Sequence, residues 1–273
     1  MSARRIVVKA GTNVVMQDDG GLALSRLYGL IESVARLRHA GREVLVVSSG
    51  AVGLGTMRLG LPARPKTLAA KQAAAAVGQG RLMALYADAF EKLGLVAAQV
   101  LLTEEDFTTR ERYLNLSATL EELFRLGVVP ILNENDTVST VELKPQEGRS
   151  PAFGDNDRLS ALVASKTNAD LLVLLTDVDG LFTESPRKSS AARLVPLVPK
   201  LTPELLDGAE GTGARGRGGM RSKLLAAEIA TKGGALAVIA NGRTNGVLDR
   251  LFAGEELGTL FLPRPGMSSK KRW

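Results

Sequence analysis

The stretch Gly213–Lys223, GARGRGGMRSK, sets four glycines, three arginines and a lysine directly before a helical run, LLAAEIATKGG. Glycines let backbone N–H groups approach a phosphate, the start of the following helix offers a positive end, and Lys223 supplies a mobile point charge. A disordered basic loop is the plain alternative. Standard patterns do not settle it: G-x-x-x-x-G-K-[ST] is not met, and Gly211–Gly216 fits G-x-G-x-x-G but follows polar DGAE rather than a strand. Lys9 stands at the end of the apolar strand RRIVVKA. A buried unpaired ammonium is costly, so Lys9 either reaches solvent or faces an anion. Lys9 and Lys223 together would place two cations around a polyphosphate, which is what phosphoryl transfer needs: positioning and charge neutralisation with little covalent chemistry. NEND (133–136) packs two carboxylates and two amides into four residues. It fits a metal site, a carboxylate pair for acid–base work, a grip on a substrate amine, or a turn cluster. Gly154-Asp155-Asn156-Asp157 repeats the theme before a helix, with more polar groups than N-capping uses.

These residues must be held by regular elements, and strand-like and helix-like segments alternate along the chain. Strands are expected at 4–10, 43–49, 95–103, 128–133, 170–176, 235–241 and 258–263. Helices are expected at 22–39, 67–93, 110–126, 155–169 and 224–234. The strands read as continuous apolar runs rather than alternating ones, the pattern of a parallel sheet covered on both faces. The fold class is therefore α/β, a three-layer α/β/α sandwich with a mainly parallel central sheet. Ligands of such sheets bind beyond the carboxyl ends of the strands. Five ends carry glycine and polar residues: Lys9–Asn13, Ser48–Ala51, Asn133–Asp136, Thr176–Gly180 and Asn241–Gly242. Residues 138–153 break the alternation and fit a hairpin with a loose tip.

Composition narrows the chemistry. The 273 residues are 45% hydrophobic and 23% charged, the balance of a globular domain with a substantial core. No cysteine is present, which excludes disulfides, thiolate metal sites and cysteine nucleophiles. The one histidine, His39, precedes Gly41 and suits the last turn of a helix; a Ser-His-Asp triad and a histidine zinc site have no material. Net charge is +6, which suits nucleic acid or an anionic small substrate, but with aromatics at 4% a base-stacking platform and hence nucleic-acid binding are not expected. No apolar run reaches the about 18 residues of a membrane span and no signal peptide is evident, so a cytoplasmic location is expected.

The motifs VVKAGTN, VVSSGAVGLG, KQAAAAVGQGRLM, QVLLT, RERYLN, VPILNENDTVST, GDNDRLSALVA, LLLTDVDGLFT and GGMRSKLLAAEIA, in this order over about residues 4–262, resemble the amino acid kinase superfamily. NEND, GDND and KQ…VGQ are similar to the branch that phosphorylates the γ-carboxylate of L-glutamate with MgATP, the first step of proline biosynthesis. The resemblance implies the amino acid kinase fold over residues 1–262, a basic tail at 263–273, and a dimer or tetramer open to proline feedback. It implies that Lys9 and Lys223 stabilise charge on the transferring phosphoryl group while Asp157 orients both. Ser49, Asp136 and Asn156 would hold glutamate, with Asp136 taking its ammonium. Thr176, Asp177 and the segment Arg217, Gly218, Gly219, Met220, Arg221, Ser222 and Lys223 would bind ATP together with Lys9. Mg2+ would bridge the ATP phosphates, with no protein ligand assigned.

Three features depart from that pattern. Arg217 and Arg221 stand where the family has small or hydroxyl residues. Residues 144–153 lengthen the loop before GDND. The chain stops soon after GTLFLP, so the C-terminal RNA-modification-type domain of many members is not expected. Two other readings compete: a superfamily kinase for acetylglutamate, aspartate, carbamate or UMP, and a nucleotide-binding regulator or basic nucleic-acid binder without catalysis.

Overall fold

The computed structural model describes residues 2–17, 20–138, 156–186, 189–208 and 219–263. In chain order its elements are β1 (Arg5–Ala10), α1 (Thr12–Val15), α2 (Leu24–His39), β2 (Glu43–Ser48), α3 (Ala51–Arg58), α4 (Leu68–Lys92), β3 (Ala97–Leu102), α5 (Glu105–Thr108), α6 (Arg110–Arg125) and β4 (Val129–Glu134). There follow α7 (Asn156–Lys166), β5 (Leu171–Thr176), β6 (Leu197–Val198), α8 (Pro203–Gly208), α9 (Met220–Lys232), β7 (Leu236–Asn241), α10 (Val247–Ala253) and β8 (Thr259–Phe261).

One sheet runs in the order β3-β4-β2-β1-β5-β7-β8-β6. β1 pairs in parallel with β2 and β5, placing Lys9 beside Val47 on one flank and Leu174 on the other. β3, β4 and β7 share that direction. Only β8, antiparallel to β7, and its partner β6 run the other way. The expected three-layer, mainly parallel architecture is what forms.

Strand residues alternate between two apolar layers. Ile6, Val8, Val44 and Val46 pack with Leu27, Ile31 and Val34 of α2, Tyr86 and Phe90 of α4, and Leu248 of α10. Val7, Leu45, Val47 and Leu172 pack with Phe124 of α6, Leu159 and Val163 of α7, and Leu224 and Ala227 of α9. Fully burying each large aliphatic side chain contributes roughly 1.5–3 kcal/mol, so the sheet's position between helices is fixed from both sides. Lys9 lies on the same strand face as Val7, which turns its side chain toward the layer containing α7 and α9.

α2 ends as expected, with Arg36, Arg38 and His39 in its last turn and Gly41 at φ 79° just beyond. Two boundaries differ from the sequence reading. GAVGLG, to which the sequence reading assigned no element, leads through Gly50 into α3. α9 starts at Met220, so Met220, Arg221, Ser222 and Lys223 form its first turn rather than a loop. Residues 139–153, which contain nearly all of the expected hairpin and the whole 144–153 insertion, lie outside the described residues, as do Arg217, Gly218 and the tail beyond Pro263. Among the described residues, no helix is long and apolar enough to cross a membrane.

Close contact with α4 explains why a glycine-rich segment is helical. A Cβ on Gly55 would lie 1.7 Å from the Ala74 carbonyl oxygen, and one on Gly78 1.8 Å from that of Ala51. The two helices meet backbone to backbone, and tertiary packing overrides the weak helix propensity of glycine. Gly78→Ala is therefore expected to lower the unfolding free energy by roughly 1–3 kcal/mol. Gly80→Ala, where a Cβ meets nothing within 4 Å, should leave it unchanged or raise it by up to about 1 kcal/mol. Urea denaturation of the two variants checks this; equal effects would contradict the close crossing.

Candidate active site

β1, β2, β4, β5 and β7 are mutually aligned, so the five polar strand ends collect along one edge. At its centre, the ammonium groups of Lys9 and Lys223 converge on one carboxylate. Lys9 Nζ lies 2.6 Å from Asp157 Oδ1, and Lys223 Nζ 3.1 Å from Asp157 Oδ2. Ser222 Oγ also donates to Oδ2, at 3.0 Å. Asp157 is completely buried and both lysines are 5% exposed.

The local sequence produces this meeting. Asp157 sits in the first turn of α7 and Lys223 in the first turn of α9, and these helices pack side by side over β1 and β5. Gly11 lets the chain pass close to β5 just beyond Lys9: a Cβ there would lie 3.0 Å from the Leu175 carbonyl oxygen, and 3.5 Å, ordinary contact, from Lys9 Nζ. Burial alone would raise the Asp157 pKa. The fields of Lys9 and Lys223, and their hydrogen bonds, reverse that and hold it at about 2, below the ordinary 3.8. The pair of lysines thus keeps a permanent counter-charge at neutral pH.

On the β2–β4 flank, beside the carboxylates Glu134 and Asp136 at the end of β4, a set of neutral amides and hydroxyls is linked together. Asn156 Nδ2 donates to Ser48 O at 2.8 Å, to Ser49 Oγ at 2.9 Å and to Asn133 Oδ1 at 2.9 Å. Asn133 Nδ2 donates to Gln79 Oε1 of α4 at 2.8 Å. Beneath them the fully buried Tyr86 places its hydroxyl 2.9 Å from Ser48 Oγ, and burial pushes the phenol's pKa up to about 12. Gly50 follows Ser49 at φ 106°, a left-handed turn that sends the chain into α3. Asp136 lies half-buried just past β4, on the same edge.

On the β5–β7 flank the groups are acidic and amide. Thr176 Oγ1 donates to Asp177 Oδ1 at 3.2 Å, and Asn13 Nδ2 to Asp177 Oδ2 at 3.0 Å. Burial pushes the Asp177 pKa up, but its own backbone N–H, Asn13, Thr176 and the charge of Arg243 together bring it below the ordinary value. Asn241 Nδ2 donates to Asp179 Oδ1 at 2.8 Å.

Of the residues singled out from sequence, Lys9, Asp157, Lys223 and Ser222 are in direct contact, and Ser49 and Asn156 form a second contacting group joined to them through α7. Thr176 and Asp177 stand on the opposite flank. Gly219 precedes α9 and Met220 and Arg221 open it, both half-buried. Gln79 and Tyr86 received no role from sequence, and Asn133 was singled out only as part of NEND; the nearest signal for Gln79 was KQAAAAVGQ, whose Gly78 marks the close crossing beside it.

Parallel strands with a cationic centre at their carboxyl edge, between α7 and α9, define a class. The sequence model of the Amino acid kinase family matches residues 4–241, and the chain belongs to that family. Within it, the chain is 53% identical over 272 residues to the glutamate 5-kinase of Gloeobacter violaceus, covering 98% of this chain and 72% of that protein. It is 49% identical over 273 residues to the glutamate 5-kinase of Moorella thermoacetica, covering 99% and 70%. Among solved structures, carbamate kinase from Giardia lamblia bound to AMP-PNP superposes with a TM-score of 0.65 at 16% identity, over 96% of this chain and 99% of that one. That likeness shows the shared fold.

A carboxylate with a depressed pKa stabilises the fold fully above its ordinary value, and the contribution is lost as pH falls through the folded value. Wild-type stability should therefore drop between about pH 4 and pH 2 partly through Asp157, and Asp157→Asn should flatten that part of the profile. At neutral pH the same substitution leaves two buried ammonium groups without their shared counter-charge and should cost roughly 3–5 kcal/mol. Chemical denaturation at a series of pH values reads both effects; an unaltered acid limb in Asp157→Asn would contradict the shared-carboxylate arrangement.

Proposed function

We propose that the protein transfers the γ-phosphoryl group of ATP to the γ-carboxylate of L-glutamate, giving L-glutamyl 5-phosphate and ADP, the opening step of proline biosynthesis. The observation that carries the reading is the convergence of Lys9 and Lys223 on Asp157 between a neutral amide flank and the Thr176–Asp177 flank. The identity to glutamate 5-kinases over nearly the whole chain supports the choice of acceptor.

In the proposed reaction a γ-carboxylate oxygen attacks the terminal phosphorus of ATP. The new P–O bond forms as the bond to the bridging oxygen of ADP breaks. The nucleophile is already ionised near neutrality, so no general base is required and the absence of an available histidine costs nothing. The catalytic demand is electrostatic: negative charge shifts across the transferring group, and fixed cations must already be in place. Lys9 and Lys223 supply them. Asp157 holds both ammonium groups in position, and because it stays ionised far below neutral pH it does so throughout the working range. Ser49, Asn156 and Asp136 hold glutamate, with Asp136 accepting from its ammonium. Thr176, Asp177 and the segment 217–223, with Lys9, hold the nucleotide. Mg2+ would enter on the ATP phosphates; among the described residues no three acidic, imidazole or thiol groups are gathered for a metal ion.

Purified protein with ATP, L-glutamate and hydroxylamine should form γ-glutamyl hydroxamate, with aspartate and N-acetylglutamate as inactive controls. Preference for either control would overturn the assigned acceptor. Lys9→Ala and Lys223→Ala should each abolish turnover with the circular dichroism spectrum retained. Asp136→Ala should raise the KM for glutamate much more than that for ATP, and comparable increases would move Asp136 out of the acceptor site.

A further inference from the structure

The three amides on the β2–β4 flank form a directional relay. Ser48 O and Asn133 Oδ1 can only accept, so the NH2 of Asn156 faces them, and Asn156 Oδ1 is turned the other way. That oxygen is buried and has no hydrogen-bond partner among the described residues. Asn133 is fixed in the same manner. Its Oδ1 accepts from Asn156 Nδ2 and, at 2.9 Å, from the backbone N–H of Glu134, so its NH2 must point away from both. It points at Gln79 Oε1, 2.8 Å distant, which is the acceptor that terminates the relay.

Gln79 is placed for this by packing that has nothing to do with polarity. It follows Gly78, the residue whose missing Cβ lets α4 lie against the Ala51 carbonyl of α3. Without an acceptor at position 79, the NH2 of the 3%-exposed Asn133 would be left in the interior unpaired. Rotation of Asn133 would then set donor against donor at Asn156.

We propose that Gln79 is a positioning residue for the acceptor substrate: by holding the NH2 of Asn133 it braces the amide whose direction Ser48 O and the Glu134 N–H set, and so keeps Asn156 Oδ1 presented as an acceptor for a donor group of glutamate. The inference rests on the kinase reading above. Gln79 touches no reacting atom in this scheme, so its loss acts on substrate affinity more than on the chemical step.

The test compares Gln79→Leu, which removes the acceptor at similar volume, with Gln79→Glu, which restores an acceptor. Gln79→Leu should raise the KM for glutamate by about tenfold, the equivalent of one side-chain hydrogen bond, while the KM for ATP changes by less than about twofold and the circular dichroism spectrum is kept. Gln79→Glu should recover most of the affinity for glutamate. An unchanged glutamate KM in Gln79→Leu, equal increases for both substrates, or a Gln79→Glu variant no better than Gln79→Leu would overturn the relay. Wild-type protein that turned over no glutamate would instead sink the kinase reading, and the relay's assignment to glutamate with it.

Discussion

A single buried carboxylate holding two ammonium groups is the constraint on which the site depends. Lys9 and Lys223 are separated by most of the chain, and each would be expensive to bury alone. Asp157 makes their burial tolerable, and they in turn keep Asp157 charged. None of the three can be placed without the others. A buried ion cluster of this kind adds little net stability over apolar packing, because desolvation offsets much of the attraction. Its retention at the carboxyl edge of the sheet therefore points to use rather than to folding: it keeps two cations fixed in a partly dry site where a transferred phosphoryl group would need them.

The sheet order makes that cluster possible. β1 is central, with β2 on one flank and β5 on the other, so a lysine at the end of β1 faces the crevice between the two halves of the sheet. Helix α7 packs over this strand and α9 beside it over β5 and β7, both on one face of the sheet, and each begins at the carboxyl edge. Asp157 and Lys223 both lie in first turns, where a side chain reaches the crevice without crossing the helix. A shift of α9 by one residue would rotate Lys223 by about 100° and out of reach.

Much of this could be read from sequence, and the rest failed for identifiable reasons. Continuous apolar strands announced a parallel, doubly covered sheet, and polar residues after five of them announced the edge. The lysines were visible because a lysine ending a buried strand and a lysine after a glycine-rich basic run are each unusual. Their meeting at Asp157 was not derivable from spacing, since it depends on which helices pack together; family resemblance supplied it. α3 was missed because Gly-rich AVGLG argues against a helix locally, and only contact with α4 reverses that. The first turn of α9 was read as loop because glycines and arginines run into it without a break. β6, α8 and α10 are short and their patterns weak. Gln79 was passed over, and Asn133 read only as one of the four polar residues of NEND, because a single amide has no distinguishing mark in sequence; its importance lies in the direction of its hydrogen bonds.

The two flanks divide the work by charge. Glutamate carries two carboxylates and one ammonium, so on the proposed reading a flank rich in carboxylates would repel it, and a flank rich in cations would compete with the lysines for the γ-carboxylate. The neutral amides avoid both, and the carboxylates beside them, Glu134 and Asp136, stand where the ammonium can offset them on that reading. The amides offer direction instead of field, and direction requires that each amide be held in one of its two orientations. α4 supplies that hold from behind, with Gln79 at one end of the network and Tyr86 beneath Ser48 at the other. The nucleotide flank has the opposite problem, a ligand of high negative charge. There, against burial, Asn13, Thr176 and Arg243 hold the Asp177 pKa below its ordinary value, and on the proposed reading it would accept from donors on the nucleotide rather than neighbour the phosphates. On the same reading the phosphates would fall to the lysines and the start of α9, where the cationic side chains and the positive end of the helix dipole act in the same sense.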